Sequence, residues 1–286
     1  TKSGSTQLSH SVSYASADGS AAAGSDYTAV SGLLTFSSAQ TTQTVNVTTL
    51  QEGVYENNET INLNLSGATY GATIGDSQGV GTITNDDAGP SFTINDVSIS
   101  EGGTLSFTVT KTGGTAFSHN VSYASLDSSA LAGSDYTAVS GTLTFTSAQT
   151  TQTVAVATLQ DSIFEGNEVL VVNLTNATSG ATIGDANGIG TINDDEPAPS
   201  FTISDVSIGE GGTLSFTVTK SGATTMSHNV SYASADGSAA APGDYTAVSG
   251  TLTFTSAQTT QSVTVTTVND TVYEGNETLV VNLSGA

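Results

Sequence analysis

Gln160-Asp-Ser-Ile-Phe-Glu-Gly-Asn-Glu-Val-Leu-Val-Val-Asn-Leu174 joins a loop of three carboxylates to a run in which Leu170, Val172 and Leu174 fall on alternate positions. Alternation with period 2 marks a strand with one buried face. Asp161, Glu165 and Glu168 therefore stand in a short loop at the entrance to a strand. The same loop occurs as Gln51-Glu-Gly-Val-Tyr-Glu-Asn-Asn-Glu59 and as Asn269-Asp-Thr-Val-Tyr-Glu-Gly-Asn-Glu277, spaced by 109 residues each time. So many acids in one loop need a cation, and the loop reads as half of a calcium site.

The rest of the chain keeps this period. His10, His119 and His228 are its three histidines, and Lys2, Lys111 and Lys220 its three basic residues; both sets step by 109. Asp26-Tyr27, Asp135-Tyr136 and Asp244-Tyr245 follow the same step, as do Phe36, Phe145 and Phe254. Such repetition means tandem structural units. Proline-bearing polar junctions at 85–90 and 193–199 set the boundaries at 1–88, 89–197 and 198–286. Aligned on the middle copy, the first lacks its first strand and most of its second, and the third lacks its last. A window from a longer array is expected, with any targeting segment outside it.

In the middle copy, strands are expected at 92–99, around Leu105, Phe107 and Val109, and around Val121 and Tyr123. Others follow around Leu143 and Phe145, Val154 and Val156, Leu170 to Leu174, and Ile189 to Ile192. No stretch has a convincing helical period. Seven short strands in about 109 residues fit an all-β, immunoglobulin-like two-sheet sandwich, with the copies arranged end to end.

Charge limits what the chain can do. It carries 26 acidic and 3 basic residues, a net charge of −23. Such a surface repels phosphate backbones and anionic membranes, which excludes nucleic acid as a partner. No apolar run is long enough to span a bilayer. The absence of Cys excludes disulfide staples and thiolate metal sites.

If successive strands run up and down, nine of the eleven acids in 89–197 gather at one end of the sandwich. Glu101 lies in the first turn, Asp127 and Asp135 in the loop after the third strand, and Asp161, Glu165 and Glu168 before the sixth. Asp194, Asp195 and Glu196 follow the seventh. Only Asp96 and Asp185 fall elsewhere. Calcium takes six to eight oxygen ligands, whereas magnesium keeps its waters and zinc prefers His or Cys. The Ca2+ reading therefore fits best. The alternative is that these acids are solvated loop charges.

At these residues the chain resembles the Calx-β domain family. The matching pieces are Ser98-Ile-Ser-Glu-Gly-Gly103, Gly133-Ser-Asp-Tyr136, Asp161-Ser-Ile-Phe-Glu-Gly-Asn-Glu168 and Thr191-Ile-Asn-Asp-Asp195. The resemblance implies a calcium-binding sandwich with its site at the distal loops. It also implies the ligands: Glu101, Asp135, Asp161, Glu165, Glu168, Asp194, Asp195 and Glu196 in the middle copy. The first copy would supply Asp26, Glu52, Glu56, Glu59, Asp86 and Asp87, and the third Glu210, Asp244, Asp270, Glu274 and Glu277. The family often has an acid just before the position of Asp161. Here Gln51, Gln160 and Asn269 stand in its place, which would weaken or remove one ion of a cluster.

The histidines read as exposed strand residues, and the Asp-Tyr tyrosines as packed corners with bonded hydroxyls. No nucleophile–base–orienter set is present, and no enzymatic activity is expected. The expected function is a calcium-stiffened repeat segment of an extracellular, bacterial surface protein, an adhesin stalk or fibre. Its expected partners are neighbouring repeats, with self-association into fibres or surface layers. The alternatives are a calcium sensor and a carboxylate glycosidase.

Overall fold

A computed structural model describes all residues, 1–286. Every regular element is a strand. The first repeat holds β1 (His10–Asp18), β2 (Ser31–Phe36), β3 (Val54–Tyr55), β4 (Glu59–Ser66) and β5 (Gln78–Ile83). The middle repeat holds β6 (Ser91–Ile94), β7 (Val97–Ser100), β8 (Thr104–Thr112), β9 (Gly114–Thr115) and β10 (His119–Asp127). It continues with β11 (Ser140–Phe145), β12 (Thr151–Ala157), β13 (Glu168–Thr175), β14 (Thr182–Ile183) and β15 (Asn187–Asn193). The third holds β16 (Ser200–Ile203), β17 (Thr213–Ser221), β18 (His228–Asp236), β19 (Ser249–Phe254), β20 (Thr260–Thr266) and β21 (Leu279–Ser284).

The middle repeat is a complete sandwich. One sheet has the order β11-β10-β13-β15-β7, the other β12-β8-β6-β14. Sixteen buried apolar residues fill the space between them, including Phe92, Phe107, Phe145, Leu170 and Val172. On β15 the inward positions are Gly188, Gly190 and Ile192. A Cβ on Gly188 or Gly190 would run into Phe107, so the ring occupies the volume those side chains would need. Phe107 is fully buried, and Phe107→Ala should cost roughly 3–5 kcal/mol. At about 4–8 °C per kcal/mol for a domain of this size, the middle repeat should melt on the order of 15 °C lower. Leu33→Ala, at a side chain 61% exposed in the first repeat, should change little; equal losses at both sites in thermal melts would contradict this packing.

The single strand expected at 92–99 is two. β6 pairs antiparallel with β8, while β7 pairs parallel with β15 in the opposite sheet. The chain changes sheets at Asn95-Asp96, and both side chains bond across the step. Asn95 Oδ1 accepts the Thr108 amide, and Asp96 Oδ1 accepts the Ile189 amide at 2.7 Å. These bonds replace the ladder bonds lost at the crossing. The short β14, which pairs parallel with β6, was not foreseen.

The outer repeats show what each pairing requires. β12 pairs only with β8, and β7 only with β15. The first repeat has no counterpart of β8, and the residues aligned with β12 form no strand there. Only Ala21, Tyr27 and Ile61 make up its buried cluster. The third repeat has no counterpart of β15, so Val206 to Ile208, aligned with β7, stay unpaired. In each outer repeat the residues aligned with the strand that would pair with the absent counterpart are themselves left without a ladder.

The histidine expectation is corrected. His119 is fully buried. Its Nδ1 donates to the Thr178 carbonyl at 3.1 Å, and its Nε2 meets the Thr115 hydroxyl at 2.8 Å. The cover comes from the preceding repeat: β3 pairs parallel with β9, and Tyr55 lies against Phe117 and His119. The second junction repeats this arrangement. The Phe164 amide donates to the Ala223 carbonyl, its own carbonyl accepts the Thr225 amide, and its ring lies 6.0 Å from His228.

Candidate metal centres

Each acid cluster stands on two supports. The first is the loop after β1, β10 or β18. Tyr136 is buried, and its hydroxyl donates to Asp127 Oδ1 at 2.6 Å. The same oxygen accepts the Ala132 amide at 2.9 Å. The tyrosine hydrogen bond holds the Asp127 carboxyl below its usual range. Burial, with Asp127 as its partner, pushes Tyr136 up to about 12. Tyr27–Asp18 and Tyr245–Asp236 repeat the contact at 2.8 and 2.7 Å. Asp127 is thus taken up by its loop and stays outside the acid groups. The corner places Asp135, whose Oδ2 accepts the Leu131 amide at 2.6 Å.

The second support is the loop before β13. Asp161 Oδ1 accepts the Ile163 amide at 2.7 Å, which bends the loop locally. Asp194 Oδ1 accepts the Glu165 amide at 3.1 Å. In the first repeat Asn85 Oδ1 does the same for Glu56 at 3.3 Å. An amide oxygen serves this position as well as a carboxylate, so Asp194 positions the loop.

Two groups result in the middle repeat. Asp135, Glu165 and Glu168 have oxygens within 4.8 Å of one another, and so do Glu101, Asp161 and Glu196. Asp194 and Asp195 stand outside both. Asp195 instead accepts from Gln160 Nε2 at 3.0 Å, and the same amide reaches Glu196 at 3.0 Å. Gln160 thus supplies a donor where another acid would add charge. In the first repeat Asp26, Glu56 and Glu59 group together, while Glu52, Asp86 and Asp87 line the same cavity of about 120 Å³. In the third, Asp244, Glu274 and Glu277 group together. Glu210 and Asp270 lie outside that group; Asp270 Oδ1 accepts the Val272 amide at 2.7 Å.

No protein cation balances these groups. Lys2, Lys111 and Lys220 donate instead to backbone carbonyls: Ser37 and Ser38, Thr146 and Ser147, Thr255 and Ser256. Several of the glutamates therefore bind their protons more tightly than usual. Burial first, then the Glu196 charge, pushes Glu101 up to about 7. Burial, then Asp135, does the same to Glu168. Burial, then the Glu52 hydrogen bond, pushes Glu56 up to about 7. Glu59, Glu165, Glu274 and Glu277 are raised, with burial the largest cause.

A cation fits this donor set. Glu59, Glu101 and Glu196 each keep one buried Oε2 without any hydrogen-bond partner. A buried acceptor left unmatched is costly, and an all-oxygen anionic set suits a hard ion such as calcium. No His or Cys lies in any group, so zinc is poorly served.

One functional feature escaped the sequence reading: the apolar pair inside each acid loop, Val54-Tyr55, Ile163-Phe164 and Val272-Tyr273. An aromatic amid acids and glycines was the available signal. The structure seats the first two on the next repeat.

The Calx-beta domain model matches residues 1–88, 84–196 and 193–286. Sodium/calcium exchanger 1 of Rattus norvegicus is 26% identical over 207 residues, covering 63% of this chain and 21% of the exchanger. The chain thus spans about a fifth of that relative. Among solved structures, the calcium binding domain CBD12 of CALX1.1 aligns over 68% of this chain and 78% of its own at 21% identity, TM-score 0.37. The apo-form Calx CBD1 domain aligns over 37% of this chain and 98% of its own at 22% identity, TM-score 0.36. With the family model matched three times in tandem across the whole length, the chain belongs to the Calx-beta domain family.

Proposed function

We propose that this chain is a calcium-loaded spacer: a structural segment of an extracellular surface protein whose repeats are held in line by ions at their acidic ends. The observation that carries this reading is the acid groups of the first two repeats: two of them keep orphaned buried oxygens, and each draws a carboxylate from the loop that seats Tyr55 or Phe164 on the following repeat. Asp135, Glu165 and Glu168 would hold one ion, and Glu101, Asp161 and Glu196 another. Asp26, Glu56 and Glu59 would serve the first repeat, and Asp244, Glu274 and Glu277 the third. A bound ion would cancel the repulsion in these loops and fix the aromatic that each loop carries. Extracellular calcium is high enough for weak sites to fill. An adhesin stalk or fibre at a bacterial surface is the setting that suits an acidic array of this kind.

A sensor reading has support in the family shared with the sodium/calcium exchanger. Small-angle scattering across a calcium titration separates the two. A spacer should be stiff and extended at every calcium level above saturation, and become flexible only on chelation. A sensor should pass between two compact arrangements. Identical scattering with calcium and with chelator would remove the proposed mechanism.

A further inference from the structure

The four-stranded sheet of the complete middle repeat ends in an open strand. β12 pairs with β8 and with no other strand. Its register is continuous from Thr151 to Ala157, so no bulge bends it away. The Lys111 amide donates to the Thr150 carbonyl, and the Thr158 amide to the Gly103 carbonyl. Alternation then turns the backbone of Gln152, Val154 and Val156 towards β8, and that of Thr151, Thr153, Ala155 and Ala157 outward. The Ala157 carbonyl is covered, because it accepts the Thr137 amide at 2.9 Å. Thr153 and Ala155 have no partner on the outer side. The neighbouring edge, β11, differs: its Thr144 carbonyl accepts Gln152 Nε2 at 2.5 Å.

Proteins ordinarily guard such an edge with a charge, a proline or a bulge. Here all three are absent. No charged residue and no proline occurs from Thr137 to Gln160, in a chain of net charge −23. The third repeat repeats the pattern. β20 ends its sheet, pairs only with β17 in continuous register, and lies in the uncharged stretch from Thr246 to Asn269.

We propose that β12 of one copy of this chain pairs antiparallel with β12 of a second copy, joining two four-stranded sheets into one. Charge selects this occupant and this orientation. β12 runs towards the acidic loops, which begin at Asp161. Lys111, the one basic residue of the middle repeat, lies at the other end, with its Nζ on the Thr146 and Ser147 carbonyls at 2.7 and 2.9 Å. Antiparallel pairing sets the acidic end of each copy beside the Lys111 end of the other. Parallel pairing would align the acidic ends, and like charge opposes it. With Val154 opposite Val154 of the second copy, Thr153 and Ala155 of both copies exchange four backbone bonds. The Thr137 bond at Ala157 stops the pairing there, so the contact is weak. It is isologous, and β20 gives each copy a second edge of the same kind, so association continues past the dimer. The inference rests on edge geometry and the sign of the charges, and stands whether or not the acid groups bind calcium.

Four such bonds correspond to a dissociation constant on the order of 1 mM. In sedimentation equilibrium the chain should be monomeric at about 10 µM and about half associated at about 1 mM. Over the same range amide exchange at Thr153 and Ala155 should slow about twofold, while Val154 and Val156 stay unchanged. Ala155→Pro with Thr264→Pro removes outward amides only and costs no ladder bond; this chain should stay monomeric at the higher concentration. A second set, Thr153→Asp, Ala155→Asp, Ser262→Asp and Thr264→Asp, places like charges opposite one another across the pairing and should do the same. Circular dichroism confirms that each variant is folded. Monomer throughout for the parent would overturn the proposal and leave the edge to a strand of another protein. Association that survives both sets of substitutions would overturn it too, because another surface would then carry it.

Discussion

Replacing Glu165 and Glu168 together by glutamine will stabilise the middle repeat without calcium and destabilise it with calcium. Both carboxyls sit within 4.8 Å of Asp135, and burial together with neighbouring carboxylates raises their proton affinity. Without a cation, neutral amides remove that repulsion, and the side-chain amide introduced by Glu168→Gln can still donate to Asp135. A rise of a few degrees in melting temperature is expected. With calcium the same change removes ligands. A site filled at one hundred times its dissociation constant adds about 2.7 kcal/mol. At about 4–8 °C per kcal/mol, the parent should gain roughly 10–20 °C from calcium, and the substituted repeat little of it. Magnesium should restore little, because it prefers a tighter octahedral shell. Melting curves of both proteins, with hydrogen exchange to localise the change to 89–197, decide the matter. A substitution that destabilises equally in calcium and in chelator would mean that the carboxylates only serve packing.

How far the sequence reveals this arrangement depends on the range of the interaction involved. Alternation at Leu105, Phe107 and Val109, or at Leu170, Val172 and Leu174, follows from pleating alone, so the strands and their buried faces can be read directly. The sheet change at Asn95-Asp96 cannot, because both halves of 92–99 look extended and only their different partners separate them. Among the acids, Asp135 beside its tyrosine corner and Asp161 in its Asp–amide turn fall into groups, whereas Asp127 in the same corner and Asp270 in the same turn of the third repeat do not. Asp194 and Asp195 carry the same charge but are directed by local amides, Glu165 N and Gln160 Nε2. Composition does not distinguish a ligand from a positioning acceptor. His119 shows the limit of reading one repeat at a time: its cover comes from the Tyr55 loop, some 64 residues earlier. Burial that depends on the neighbouring unit leaves no trace in the unit's own pattern.

The pH dependence of stability should reverse when calcium is added. Glu56, Glu101 and Glu168 have folded-state values near 7, against about 4.3 for an unfolded glutamate. Above pH 7 these groups are charged in both states, and the folded state bears their repulsion. As pH falls from about 7 towards 4.5, the folded state takes up protons that the unfolded state does not, so stability rises. Partial solvent exposure of the clusters screens the effect and keeps it moderate. With calcium bound the ligands must be deprotonated, so each proton taken up competes with the ion. Stability should then fall over the same interval, and the two curves should converge near pH 5, where the ion no longer holds its site. Denaturant titrations of calcium-stripped and calcium-saturated protein at pH 7.5, 6.5 and 5.5 test this, because each pH compares the same chain with and without the ion. A stripped protein less stable at pH 5.5 than at pH 7.5 would mean that the clustered acids are not repelling one another in the folded chain. A calcium increment that stays constant across the range would mean that the ion is held by groups other than these carboxylates.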